Sequence, residues 1–166
     1  MPPPPRDLDA TRILRELTQR GVDFVVIGGL AAVLHGSARI TQDIDICFAT
    51  DDVNLHALGD VLVGLSARLS GVEETVPFVA DAATLRNVEV LTLDTDAGKL
   101  DVLARPAGFP GYATLRAQSD RFDIEGTSFM VASIPDMLAM KAAAGRPKDL
   151  SDIAELEAIL RLRRET

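Results

Sequence analysis

The segment Asp43-Ile44-Asp45-Ile46 alternates an acid with an isoleucine. Side chains in a strand alternate faces, so Asp43 and Asp45 share one face, roughly 7 Å apart at Cα. Ile44 and Ile46 point the other way, into a core. Upstream, the apolar run Phe24-Val25-Val26-Ile27 ends in Gly28-Gly29, and a short helix-forming segment, Leu30 to His35, runs to Gly36. A glycine pair turns the backbone tightly and leaves it bare of side chains. The helix after it aims free N–H groups and a positive dipole end at the turn, which suits a phosphate. Two carboxylates on one face beside such a turn are what a divalent cation bridging protein and triphosphate requires. Magnesium takes oxygen ligands, one or two carboxylates plus substrate phosphates.

A third acid stands within another apolar run, Lys99-Leu100-Asp101-Val102-Leu103. Leu100 and Val102 share one face of that strand and Asp101 takes the other, which makes Asp101 the candidate third carboxylate. Arg39 and Thr41 immediately precede the acids. Arg39 could clamp a phosphate through two parallel hydrogen bonds, or pair with a surface acid. His35 is expected to satisfy the end of its helix or to face solvent. A basic cluster, Lys141, Arg146 and Lys148, is followed by Asp149 and Asp152. By residue type alone this is an ordinary helix–turn–helix surface with salt bridges.

The elements that must hold these groups read as alternating helices and strands. Asp7 or Asp9 can cap a helix to about Arg20, with Leu8, Ile13, Leu14 and Leu17 on its buried face and Gly21 closing it. Asp51-Asp52 caps a second helix from Val53 to about Leu69, where Leu55, Leu58, Leu62 and Leu65 recur at helical spacing. His56 lies on its exposed side. A short strand near Thr75–Val79 and a short helix near Asp81–Arg86 come next. Residues 87–93 alternate as a strand, Asp94 to Gly98 make a hairpin-like turn, and Lys99 to Leu103 return. A loop over Pro106 to Gly111, a helix over Tyr112 to Ser119, and strands Arg121–Ile124 and Ser128–Val131 follow. Ser133 caps a helix with Pro135 in its first turn that stops at Gly145, and a last helix runs to about Arg163.

The combination of Gly28-Gly29 opening a helix and Asp43-x-Asp45 on the next strand resembles the nucleotidyltransferase superfamily, the polymerase-β-like fold. With Arg39 and Thr41 before the acids it looks closest to the AbiEii-like toxins and related bacterial nucleotidyltransferases. Lys141, then Arg146-Pro147-Lys148-Asp149-Leu150-Ser151-Asp152, is similar to that group's C-terminal motif. The resemblance implies an α/β (α+β) fold, a small mixed sheet flanked by helices with further helices at the C-terminus. It implies two magnesium ions on Asp43, Asp45 and Asp101. It also implies an NTP held by Gly28, Gly29, Arg39, Thr41, Lys141, Arg146 and Lys148, with Asp149 organising the site. Such an enzyme moves a nucleoside monophosphate onto a hydroxyl. A tRNA acceptor and an antitoxin partner are implied by the toxin members; a small molecule, a protein hydroxyl and a non-catalytic partner-binding role are the alternatives.

Composition narrows the classes. The 166 residues suit one domain over 7–166 behind a disordered proline-rich tail, residues 1–6. There is no tryptophan and a single tyrosine, so bases are not expected to be held on aromatic platforms. The net charge of −8 counts against a broad nucleic-acid surface but permits a local basic patch. The single cysteine, Cys47, excludes a disulfide framework and reads as a buried small hydrophobe. No apolar run approaches the ~20 residues of a membrane span, and the N-terminus lacks the regions of a signal peptide, so a cytoplasmic location is expected.

Overall fold

The computed structural model describes residues 6–71 and 80–166. The strand expected near Thr75–Val79 and all but Arg6 of the expected tail lie outside the described residues. Helix α1 (Ala10–Gln19) starts where Asp9, rather than Asp7, accepts the Arg12 amide at 3.1 Å. Ile13, Leu14 and Leu17 are its buried face, as the spacing predicts. Strand β1 (Phe24–Ile27) is buried along its whole length. Helix α2 (Gly28–Leu34) begins at once, and its first residues are the glycine pair itself. Strand β2 (Asp43–Phe48) sends Ile44 and Ile46 into the core and leaves Asp43 and Asp45 half-buried on the opposite face.

Helix α3 (Asp52–Gly64) is shorter than its leucine spacing suggests. Leu65 still faces the core, but Ser66 turns left-handed at φ 52°, and the Ala67 amide donates back to Leu62 at 2.9 Å. The expected continuation to Leu69 is instead strand β3 (Arg68–Leu69), whose partners are Asp94 and Leu93. Sheet hydrogen bonds available only in the tertiary fold override the helical periodicity there. Helix α4 (Ala82–Arg86) follows its Asp81 cap. Strands β4 (Val90–Thr95) and β5 (Gly98–Leu103) meet in a tighter hairpin than expected, because Thr95 pairs with Gly98 and its hydroxyl donates to the Gly98 carbonyl at 2.6 Å.

Helix α5 (Tyr112–Ala117) leads to the hairpin of β6 (Asp120–Ile124) and β7 (Thr127–Val131). Helix α6 (Ile134–Ala144) carries the predicted Ser133 cap and ends at Gly145, whose φ of 61° is a left-handed stop. A single 3-10 turn (Pro147–Asp149) enters helix α7 (Leu150–Arg164). Among the described residues, seven strands form one mixed sheet in the order β3-β4-β5-β2-β1-β7-β6. Its centre is β5, β2 and β1, with β2 parallel to β5 and antiparallel to β1. Buried residues of the sheet and helices make one continuous apolar cluster. Cys47 belongs to it, and burial pushes its thiol up to about 12. No helix among the described residues is long and apolar enough to cross a membrane.

Asn54 is a buried polar staple in this frame. Its side-chain oxygen accepts the Asp23 amide at 2.6 Å, and its amide group donates to Asp23 and Ala49 carbonyls at 3.0 and 2.7 Å. It ties the start of α3 to the entry of β1 and the exit of β2. Asn54→Ala strands the Asp23 amide and the Ala49 carbonyl, while the Asp23 carbonyl keeps the Ala49 amide at 3.2 Å, and is expected to lower stability by about 3 kcal/mol, read as a shifted urea midpoint at unchanged slope.

Candidate active site

The parallel pairing of β2 with β5 sets Asp45 directly beside Asp101 and Asp43 beside Lys99. Because alternate residues share a face, Asp43, Asp45, Lys99 and Asp101 all project from the same side. One carboxylate oxygen from each of Asp43, Asp45 and Asp101 lies within 4.8 Å of the others. Lys99 is a site residue that sequence reasoning missed, although its place two residues before Asp101 was a usable signal. It draws the Asp43 carboxyl down, against burial and the charge of Asp101, which together leave it raised.

Burial is the main reason that the Asp45 carboxyl rises from 3.8 to about 8; its hydrogen bond to Asp101 and the charges of Asp43 and Asp101 add to this. Lys141 opposes the rise. Asp101 Oδ1 is buried with no hydrogen-bond partner among the described residues. Three clustered carboxylates, one proton-hungry and one with an unused buried oxygen, are a donor set for a hard divalent cation. The residues present therefore fit magnesium.

Gly28 is the other half of the cradle. A Cβ there would lie 2.0 Å from Asp45 Oδ2, and its φ of 67° is itself a glycine conformation. Gly29 faces Thr41, whose hydroxyl donates to the Asp43 carbonyl at 2.8 Å and so fastens the loop to the first acid.

Two cavities meet at this point. One, of about 220 Å³, runs along Gly28, Gly29, Arg39, Thr41, Asp43 and Lys141. The other, of about 320 Å³, opens on the Asp45 and Asp101 side, between α6 and the ends of β4 and β5. They share Gly28 and Lys141. Lys141 is held by Asp149 at 3.3 Å and Asp152 at 3.1 Å. Arg146 binds the buried Asp149 through two hydrogen bonds, at 2.8 and 3.2 Å, and these hold the Asp149 carboxyl below its usual range. Asp149 thus sits behind the two cations and aims them. Arg39 reaches α7, where it pairs with Asp152 and donates to Ser151 at 2.9 Å. Lys148 is exposed and lines neither cavity, so the structure does not bring it to the other predicted residues.

His35 stands at the end of its helix as expected, capping α2 with its amide donated to the Ala31 carbonyl at 3.1 Å, but it does not face solvent: it is buried at 3% exposure. Its Nε2 lies 2.8 Å from the Ala132 carbonyl, and Arg163 of α7 lies 3.0 Å from Nδ1 and donates to the His35 carbonyl at 3.1 Å. Burial is the chief cause that lowers its proton affinity. Ser37 adds a 2.5 Å hydrogen bond to Glu155 of α7. Neither partner is close in sequence, which hid both contacts.

A mixed sheet carrying an acidic triad beside a glycine-started helix is the nucleotidyltransferase architecture, and the solved structures that share its fold are of that class. The lincosamide antibiotic adenylyltransferase LnuA, solved with lincomycin bound, has a TM-score of 0.61 at 17% identity over 93% of this chain and 99% of that one. The antibiotic-resistance factor ANT(2'')-Ia gives 0.55 at 14% identity over 93% and 89%. An antigenic nucleotidyltransferase-like protein from Paracoccidioides brasiliensis gives 0.55 at 19% identity over 95% and 79%. At such identities the likeness is one of fold. Comparison with curated protein sequences gives no match. Residues 12–164 match the family described as the nucleotidyl transferase AbiEii toxin of a type IV toxin–antitoxin system, so this chain belongs to the AbiEii nucleotidyltransferase family.

Two outcomes test the geometry. Gly28→Ala forces a methyl group against Asp45 and strains the backbone, and is expected to cost about 2 kcal/mol of stability in urea denaturation. Asp45 keeps in the folded, metal-free protein a proton that the unfolded chain loses near pH 4, so folding stability falls as pH rises from about 4 to about 8. His35 gives the opposite slope below about pH 6.5, so the comparison with Asp45→Asn isolates the carboxylate. In EDTA near pH 8 the Asp45→Asn protein is expected to melt several degrees above wild type, and near pH 4 at the same temperature.

Proposed function

We propose that the protein is a magnesium-dependent enzyme that moves a nucleoside monophosphate from an NTP to a hydroxyl acceptor. The observation that carries this reading is the 4.8 Å cluster of Asp43, Asp45 and Asp101 at the junction of two cavities. Asp43, Asp45 and Asp101 would hold magnesium, which supplies charge neutralisation of the triphosphate and acidification of the acceptor hydroxyl. Gly28 and Gly29 give the phosphates access to bare backbone. Arg39 and Lys141 stand along the same cavity as phosphate partners, with Thr41 in its lining, and Lys141, aimed by Asp149, is a cation that lines both cavities. Arg146 supports Lys141 by sharing Asp149.

In the transfer, the acceptor oxygen forms a bond to the α-phosphorus while the bond from that phosphorus to the bridging oxygen breaks. Pyrophosphate leaves. Asp101 Oδ1, buried and without a hydrogen-bond partner among the described residues, takes the hydroxyl proton. The family's description supports a toxin role with an antitoxin as its counterpart.

Calorimetric titration of magnesium with a nonhydrolysable NTP, followed by pyrophosphate release in a cell extract, tests the reading. Asp43→Ala and Asp101→Asn are expected to lower release by about a thousandfold or more, the range seen when a preorganised transition-state contact is lost. Binding of NTP without any magnesium dependence would overturn it.

A further inference from the structure

We propose that the larger cavity is the acceptor pocket and that it takes an uncharged alcohol with an apolar body, in preference to an RNA end or a polycation. This rests on the nucleotidyl-transfer reading above. Of the two cavities, the smaller carries Arg39, Thr41 and the glycine pair and suits phosphates. The larger is walled by Val90, Leu103, Pro106, Met137 and Met140, and reaches Asp45 and Asp101 at its reactive end. Val90 keeps 53% of its surface exposed at this mouth, an apolar side chain that a ligand would cover. Met137 and Met140 stand one turn apart on α6 and give a wall that adapts to an irregular apolar shape.

The ionic groups of this cavity are all committed. Asp45 and Asp101 belong to the metal cluster. Lys141 is paired with Asp149 and Asp152, and Arg146 with Asp149. A polycation would meet two cations and no spare acid. An RNA end needs phosphate-binding cations and, for its bases, flat stacking surfaces. No aromatic side chain lines the cavity among the described residues, and Asp149, Asp152 and Glu155 stand around its neighbour. A neutral, largely apolar molecule with one hydroxyl near Asp101 Oδ1 satisfies the walls and the reaction together. Its oxygen displaces pyrophosphate from the α-phosphorus and its proton goes to Asp101, leaving a phosphodiester of the alcohol.

The full chain with magnesium and each α-labelled NTP is offered separately octyl glucoside, neutral sterol diols, hydroxylated macrolactones, the amino sugar neomycin, and total tRNA. Label is expected on a neutral alcohol and not on neomycin or tRNA. Met140→Asp is expected to raise KM for that alcohol at least tenfold while Kd for the nonhydrolysable NTP stays put. In a parallel titration with octyl glucoside, the Met137 and Met140 methyl resonances are expected to shift and that of Met130, on the sheet, to stay. Label on tRNA or neomycin, or none on the neutral alcohols from a protein that binds magnesium–NTP, overturns this inference and leaves nucleotidyl transfer standing. A protein that binds no magnesium–NTP overturns both.

Discussion

Asp45 lies beside Asp101 because β2 and β5 run parallel in one register, and a slip of one residue would send the acids to the core face. That register is enforced from the other side of the sheet, where Ile44, Ile46, Leu100 and Val102 are fully buried. The arrangement is costly on its own terms. At an effective dielectric of about 20, two carboxylates about 5 Å apart repel by roughly 3 kcal/mol. The apolar face therefore holds together what the polar face would push apart, and this repulsion adds to burial, the larger cause, in raising the proton affinity of Asp45. A proton relieves it in the free protein; a divalent cation would relieve it more fully.

The groups around the triad are placed from much farther along the chain. Helix α7 reaches back to the segment after α2 through Arg163 on His35, Glu155 on Ser37 and Asp152 on Arg39. Three contacts along one helix fix the loop that leads into the first acid. The same helix start carries Asp149 and Asp152, which orient Lys141 of α6. The C-terminal helices are thus part of the site and not an appendage. Asp152 in particular joins Arg39 to Lys141, so the two cations of the smaller cavity share one acid.

The two cavities differ in composition. Polar and cationic groups with bare glycine backbone stand on the Asp43 side, and aliphatic and thioether groups stand on the Asp101 side. Arg39, Lys141 and Arg146, the cations that line the two cavities, are each paired with an acid of the C-terminal helices.

Local chemistry was legible directly. The alternation around Asp43 and Asp45, the glycine pair after an apolar run, the Ser133 cap and the Gly145 stop are set by neighbours within a few residues, and each stands as read. So does the apolar β5 interrupted by Asp101, because a face needs only a period of two to be recognised. What the tertiary structure alone decided depends on residues distant in sequence. Leucine spacing could not reveal that Ser66 reverses the chain, because the hydrogen bonds that hold β3 come from β4. The burial of His35 depends on Arg163, which lies 128 positions away and could not be read from its neighbours. Lys148 sits in the same motif as Arg146 and Asp149 yet makes no hydrogen bond or ion pair with them, and its neighbour Asp149 in the same 3-10 turn is the residue that is buried. The pairing of β2 with β5, which turns separate acids into one cluster, arises from burial of apolar residues on the opposite face, and that is a property of the whole sheet.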